Sequence, residues 1–390
     1  MKRKAALTVA LSVIIKLLWS LDANPLLLLY DAYLTKTATI CTGACNYTRR
    51  IFGHDATTLE GKTVWITGSS SGIGAELAIQ LASAGVGHII LSGRRIEKLD
   101  KVAKTCRESQ LMRTNTLGKE RKIGVSLVPF DLSRVEDLDE AVTRALEAAP
   151  ESGIDILILN AGQYHCAPAL ETNVEKALPD LMQVNFASPV QLAHKLLQRD
   201  RWKERRHGRI VAITSLMGRG ASPLNAAYSA TKHALRGYFL ALAAEERSWL
   251  RVDVVLPGAV NTGLWEASWN SKNEDSEKPP MKQLQADDRS KMPVKRCVQL
   301  IISSMIGPSY LVFGETWISQ NPGLLWVYLA SYTPSTFHVV MTNIVSPLRL
   351  SMWKRNGEDA LYLPTLLLHM LEKIVDYVQS SEKRDKIGNE

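Results

Sequence analysis

From about residue 58 onward the chain repeats one alternation: a short run of β-branched and aliphatic residues, a turn, then a stretch with apolar residues at helical spacing. The runs are TVWIT, HIILSG, GVSLVPFDL, IDILILNAG, GRIVAITS and RVDVVLPG. Each is short and almost uniformly apolar, and most are bounded by turn residues, which is the signature of a strand. Between them, residues 75–84, 96–106, 135–149 and 228–248 carry apolar positions three and four apart, as one face of a helix does. Apolar strands separated by helices predict βαβ units and a parallel sheet covered on both faces. The expected fold class is α/β, a doubly wound parallel sheet forming a single domain. Residues 107–122 are polar and longer than such a connection needs, so they read as a surface excursion. No internal repeat or low-complexity tract interrupts the pattern.

Both ends depart from it. After Lys2, Arg3 and Lys4 comes an apolar run over residues 5–21, broken by Lys16, and a second over residues 25–30. The first run lies at the lower limit for a membrane span, and a lysine near its end can snorkel to the interface. No small-x-small cleavage site follows promptly, which disfavours a removed signal peptide. Residues 1–34 are therefore expected to be an uncleaved N-terminal anchor in the endoplasmic reticulum membrane, with 35–57 a linker. The basic start favours a cytosolic N-terminus, which would send the rest of the chain into the lumen, and Asn46-Tyr47-Thr48 is a glycosylation sequon consistent with that face. A shallow hairpin of the two apolar runs would instead leave the domain cytosolic, and both topologies stay open. Residues 58–262 form the core of the pattern. Residues 263–320 begin with a charged, proline-containing stretch carrying Trp265 and Trp269, the composition of a substrate lid, and resume helical spacing at VKRCVQLIISSMI. Residues 321–390 form an apolar and amphipathic extension broken by Pro334 and Pro347, suited either to docking on membrane lipid or to packing on the domain.

Composition narrows the function classes. Of 390 residues, 46% are hydrophobic and 22% charged, the balance of a protein with a large core. The net charge of +8 is spread among many acidic residues, and the dense basic groups are not interleaved with aromatics, so no nucleic-acid partner is expected. Five cysteines are too few for a disulfide scaffold. Cys41 and Cys45 have no histidine or further cysteine close enough to complete a metal site, and none is expected.

Three stretches carry chemistry. In TVWITGSSSGIGAELAIQLASAG, Gly68, Gly72 and Gly74 follow a strand and open a helix, where glycines let the backbone approach a pyrophosphate held at the helix N-terminus. That loop turns the α/β pattern into a Rossmann dinucleotide-binding reading. At the end of the second strand, where an acidic residue would hold a ribose 2′-hydroxyl, Gly93 is followed by Arg94 and Arg95. Guanidinium groups pair with phosphate, so NADP(H) is expected rather than NAD(H), with Arg94 the main contact. In YSATKHALRG, Tyr228 and Lys232 share one helical face. A phenol donates protons poorly at neutral pH unless a nearby cation favours its ionised form, and the spacing permits that role.

The segments TGSSSGIG, NAG (160–162), VNFAS around Asn185, ITS ending at Ser215, YSATK and PGAVNT stand in order and close to the spacing of the short-chain dehydrogenase/reductases. The chain resembles that family from about residue 61 to 263, and SGRR and SATKHALRGYF resemble its membrane-associated branch. The resemblance implies an oxidoreductase interconverting a carbonyl and a secondary alcohol on lipophilic substrates such as steroids or retinoids, commonly as a homodimer. It implies that Tyr228 exchanges a proton with the substrate oxygen, that Lys232 lowers the phenol's pKa and holds the nicotinamide ribose, and that Ser215 hydrogen-bonds the carbonyl. It further implies that Asn185 holds a helix kink and a water leading to Lys232. For the cofactor it implies Gly68, Ser70, Ser71, Gly72, Ile73 and Gly74 at the pyrophosphate and Asp131 and Leu132 at the adenine. Asn160 and Gly162 would lie near the adenosine ribose and Thr262 would bind the carboxamide, with Ala161, Pro257, Gly258 and Val260 also holding the cofactor. Thr67 and Asn160 are expected to serve structure as well. Ser71 stands where some NADP-dependent members carry a second basic residue, so phosphate recognition would rest on Arg94, Arg95 and hydroxyls. His165, in GQYHCAP, reads as a bystander. The rival readings are an NAD-dependent oxidative dehydrogenase and a non-catalytic NADPH-binding membrane scaffold.

Overall fold

The computed structural model describes residues 59–117, 123–200, 202–262, 264, 291–306, 315–319 and 323–356. The N-terminal apolar runs, the sequon, Cys41, Cys45, Trp265, Trp269 and residues 357–390 lie outside them. Among the described residues no helix is long and apolar enough to cross a membrane.

The six apolar runs form β1 (Thr63–Thr67), β2 (His88–Ser92), β3 (Gly124–Leu127), β4 (Ile156–Leu159), β5 (Gly208–Ile213) and β6 (Leu250–Pro257). The pair β7 (Val260–Asn261) and β8 (Met292–Pro293) stands apart, and β9 (Glu315–Ile318) joins the main sheet. That sheet has seven strands in the order β3-β2-β1-β4-β5-β6-β9, every neighbouring pair parallel. Strand order reverses between β1 and β4. In a doubly wound sheet, that reversal opens a crevice at the carboxyl ends of the strands.

Alternate strand residues feed two cores. On one face Val64, Ile66, Ile89, Leu91 and Ile158 pack under α1 (Gly72–Ala84), α2 (Ile96–Leu117) and, later in the chain, α8 (Val294–Ile306). On the other, Trp65, Ile90, Leu157, Ile210 and Val254 pack under α3 (Asp137–Ala148), α5 (Ser188–Arg199) and α7 (Ala226–Glu245). Such two-sided burial is why these strands read as unbroken apolar runs. Trp65 is fully buried, and its indole nitrogen donates to Ser92 Oγ at 2.8 Å. Helix α4 (Val174–Met182) runs into α5 through a π turn, Gln183–Ala187, and α6 (Trp202–Arg205) is a single turn before β5.

Two differences from expectation stand out. Helix α2 continues to Leu117, through much of the stretch read as an excursion, because its Arg, Gln, Leu and Met residues are good helix formers although they make no apolar stripe. The extension forms α9 (Gly323–Tyr332), α10 (Pro334–Val340), a π turn (Met341–Val345) and α11 (Ser346–Asn356). Trp326, Val327, Met341 and Val345 are buried in the same core as β6 and α7, so this part of the tail packs on the domain. Val339, Ile344 and Leu350 point outward and are exposed.

Candidate active site

A cleft of about 790 Å³ opens at the carboxyl ends of β1, β2, β4, β5 and β6. Its floor is the β1–α1 loop. Gly68 has φ +67°, and a Cβ there would lie 2.7 Å from Ala161 Cα, so both backbone angle and space require glycine. Gly72 has φ +57° and lies under Thr262. A side chain at Gly74 would collide with the Gly68 carbonyl and the Asn160 amide, which keeps α1 tight against the loop. The N-cap of α1, Ser71, makes no side-chain capping hydrogen bond, and the first turn carries no acidic residue. The positive end of this helix therefore faces the cleft without a protein anion to neutralise it, which suits a phosphate. At the far end lie Arg94 and Arg95, both exposed, with Arg94 Nη1 3.9 Å from Asp131 Oδ2. The residues present thus fit a dinucleotide, with glycines and the helix N-terminus for the pyrophosphate and two exposed guanidinium groups at the end of β2.

Helix α7 presents the other chemistry. Tyr228 and Lys232 are both buried, the ammonium 5.8 Å from the phenol ring centroid and 3.4 Å from the Ile213 carbonyl, to which it donates. The Tyr228 hydroxyl is hydrogen-bonded to Ser215, whose Oγ also accepts from Met217 N at 3.2 Å and so caps the turn 216–218. Asn185 sits in the π turn, fully buried: its Oδ1 accepts from Gln163 N at 2.7 Å, and its Nδ2 donates to Gln163 O and Thr231 Oγ1. A Cβ at Gly162 would fall 3.2 Å from Asn185 Oδ1 and 3.3 Å from Lys232 Nζ, so a bare backbone separates the two. A π turn placed beside a functional cluster is a recurring pattern.

Burial dominates the electrostatics. It pushes the Tyr228 phenol up to about 12, opposed only by the Ser215 hydrogen bond, and pushes the Lys232 ammonium down to about 8. Burial and the Ser215 hydrogen bond are the causes acting on the phenol here, with Lys232 Nζ 5.8 Å from the ring centroid.

The expected residues gather at this one cleft. Ser70, Ser71, Ile73, Asp131, Leu132, Ala161, Gly162, Ser215, Pro257, Gly258, Val260 and Thr262 all line it, beside Gly68, Gly72, Arg94, Arg95, Tyr228 and Lys232. Asn185 and Gly74 do not line it but support it from behind. Asn160 lines it, yet its Nδ2 is committed to the Thr67 and Gly68 carbonyls, while Thr67 Oγ1 accepts from the amides of Asn160 and Ala161. Those two residues tie β1 to β4. Motif reading missed Phe130, Gln163, Lys176, Asp180, Val184 and Thr214, which also line the cleft. Phe130, Gln163 and Thr214 each adjoin a residue already singled out. Lys176, Asp180 and Val184 recur every four positions, a helical stripe that only the placement of α4 turns toward the cleft. His165 is buried beside Tyr164, and the edge of the Tyr164 ring meets Tyr228 at 4.9 Å between centroids.

A family model described as short chain dehydrogenase matches residues 62–273. Dehydrogenase/reductase SDR family member 7 of Homo sapiens is 34% identical over 305 residues, covering 77% of this chain and 82% of that protein. The Mus musculus protein of the same name is 35% identical over 280 residues, covering 71% and 76%. Among solved structures, a short-chain dehydrogenase from Sphingobium yanoikuyae in complex with NADPH is 25% identical, with TM-score 0.52 over 73% of this chain and 96% of that one. An alcohol dehydrogenase from the archaeon Thermococcus sibiricus complexed with 5-hydroxy-NADP shares the fold at 22% identity, TM-score 0.54, over 67% and 98%.

Proposed function

The chain belongs to the short chain dehydrogenase family and is an oxidoreductase, and from that premise we propose that it uses NADP(H) to interconvert a lipophilic carbonyl compound and its secondary alcohol. The observation that carries the reading is one cleft with Ser215, Tyr228 and Lys232 on one wall and a glycine loop, an uncapped helix end and two arginines along the rest. A non-catalytic binding protein has no need of a half-buried Ser215 set against a buried Tyr228.

Bound NADP(H) supplies or takes up a hydride at its nicotinamide C4. The side chains do the rest. Ser215 and Tyr228 donate hydrogen bonds to the carbonyl oxygen, and as negative charge gathers there Tyr228 passes its proton across. With its pKa near 12 the phenol holds that proton throughout the neutral range, and a developing alkoxide is a stronger base than the phenolate left behind. Lys232, still largely cationic at neutral pH, compensates the phenolate and offers donors to the nicotinamide ribose. Asn185 holds Gln163 and Thr231, and through them the loop and helix that bracket the site.

Cofactor choice rests on Gly93, Arg94 and Arg95, with support from the similar short-chain dehydrogenase of Sphingobium yanoikuyae, solved in complex with NADPH. The lipophilic substrate class rests on the apolar N-terminal run and the exposed Val339, Ile344 and Leu350 of the tail, which suit attachment to the endoplasmic reticulum membrane. A homodimer is part of the same proposal by family resemblance. The test is a panel of lipophilic ketones and aldehydes with NADPH on detergent-solubilised full chain. Wild type should turn over at least one, and Tyr228→Phe should lose about 10²–10⁴-fold in kcat while still binding NADPH. Full turnover by Tyr228→Phe would remove the mechanism.

A further inference from the structure

Residues 216–225 link Ser215 to the helix that carries Tyr228, so their shape sets the distance between the two hydroxyls. On one side the loop rests on α7, where a Cβ at Gly218 would lie 2.7 Å from the Lys232 carbonyl oxygen. The C-terminal extension covers the other side at three positions. Arg219 Nε donates to Ser331 Oγ of α9 at 2.8 Å. Gly220 is closed in by α9, since a Cβ there would lie 2.9 Å from Ala330 Cβ and 3.0 Å from Trp326 Cη2. Arg349 of α11, only 3% exposed, donates from Nη1 to the buried Ser222 Oγ at 2.5 Å.

The contacts go further than cover. A buried guanidinium is costly unless its donors are used, and Arg349 uses one to hold the loop across 127 positions of sequence. Its charge also reaches Tyr164, opposing the upward push of burial on that phenol. Tyr164 in turn donates to Asn225 Oδ1 at 2.6 Å, at the start of α7, and packs edge-on against Tyr228.

We propose that the C-terminal extension is a working part of the active site: Ser331, Trp326 and Arg349 are positioning residues that clamp residues 219–222 and so fix the separation of Ser215 and Tyr228. The catalytic consequence rests on the oxidoreductase reading above; the clamp itself does not.

The test uses the full chain in detergent, with Arg349→Met, Arg349→Lys and Ser331→Ala. Hydrogen exchange is followed in peptides spanning 215–228 and, as a control, in peptides from β1 and β2. NADPH binding is followed by fluorescence quenching, and kcat and KM with a ketone that wild type reduces. Arg349→Met should speed exchange in 216–225 by about ten-fold or more while β1 and β2 stay protected. Its kcat should fall between about ten- and a hundred-fold with NADPH affinity within about twofold, and Arg349→Lys should recover most of the loss. If Arg349→Met does not fold, Ser331→Ala carries the test, with the same local exchange pattern to a smaller degree. Unchanged exchange in 216–225 would overturn the proposal, as would loosening spread evenly over the sheet. If wild type reduces no ketone the proposed carbonyl reduction fails, and the exchange data still judge the clamp.

Discussion

Removing the charge from Lys232 should make this protein more stable while stopping its chemistry. The amine is 3% exposed, and burial lowers its pKa from the ordinary 10.5 to about 8. At about 1.4 kcal/mol per tenfold change in the protonation equilibrium, that fall corresponds to roughly 3 kcal/mol against the charged form in the folded state. Because the folded pKa is depressed, the unfolded chain binds the extra proton between about pH 8 and 10.5. The penalty is therefore in full force below pH 8 and disappears as pH rises to 10.5. Lys232→Met keeps the methylene packing and loses one long hydrogen bond, to the Ile213 carbonyl at 3.4 Å, worth about 1 kcal/mol or less. The net gain at pH 7 is about 2 kcal/mol, a rise of a few degrees in Tm. Thermal unfolding of both proteins without added coenzyme, from pH 6.5 to 10.5, checks it. The difference between variant and wild type is what matters, since Cys106, Cys297 and Tyr228, all raised by burial to about 12, destabilise both alike at high pH. That difference should be largest at neutral pH and vanish by about pH 10. A variant that melts below wild type at pH 7, or a gap that ignores pH, would refute the argument that burial rather than charge pairing governs this lysine.

Gly93→Asp should turn coenzyme preference from NADPH toward NADH by about ten-fold or more, because a carboxylate there repels a 2′-phosphate and accepts from a 2′-hydroxyl. The position has room, with Ser70 and Leu99 at 3.5 Å from the new Cβ, so an unchanged ratio of the two affinities would count against the arginine argument and not against folding. Gly68→Ala should cost about 2 kcal/mol or more and abolish coenzyme binding, since φ is +67° and Ala161 blocks the Cβ. Gly237→Ala, exposed in the interior of α7 with nothing within 4 Å, should instead add about 0.5–1 kcal/mol, and urea unfolding of the two variants should show opposite signs.

The strands were legible because burial on both faces leaves no polar alternation to misread, as Val64, Trp65 and Ile66 show by feeding opposite cores. The cleft's glycines were legible because the local backbone needs them, and Asn185, Ser215, Tyr228 and Lys232 because each stands in a short motif at family spacing. Strand β9 was not. Its four residues carry only a brief alternation, and its place beside β6 comes from pairing with residues 254–257 far back in the chain. The tail was readable as apolar, but an apolar face suits lipid and protein alike. Polar residues decide between them here: Arg349 and Ser331 have specific partners on the domain, in Ser222 and Arg219, that no local pattern announces.

The Tyr228–Lys232 spacing shows most clearly what a sequence omits. Four residues apart on a helix, a phenol and an ammonium suggest that the cation makes the phenol more acidic. The folded chain sets Tyr228 against Tyr164 and Ser215 and Lys232 against the Ile213 carbonyl, and the loss of water favours the neutral form of each, raising the phenol and lowering the amine. Any ligand that brings negative charge or new donors against Lys232 would raise its pKa again and let it act on the phenol. The protonation of the pair is then set by what occupies the cleft beside α7, and the spacing of the two residues only makes that control available.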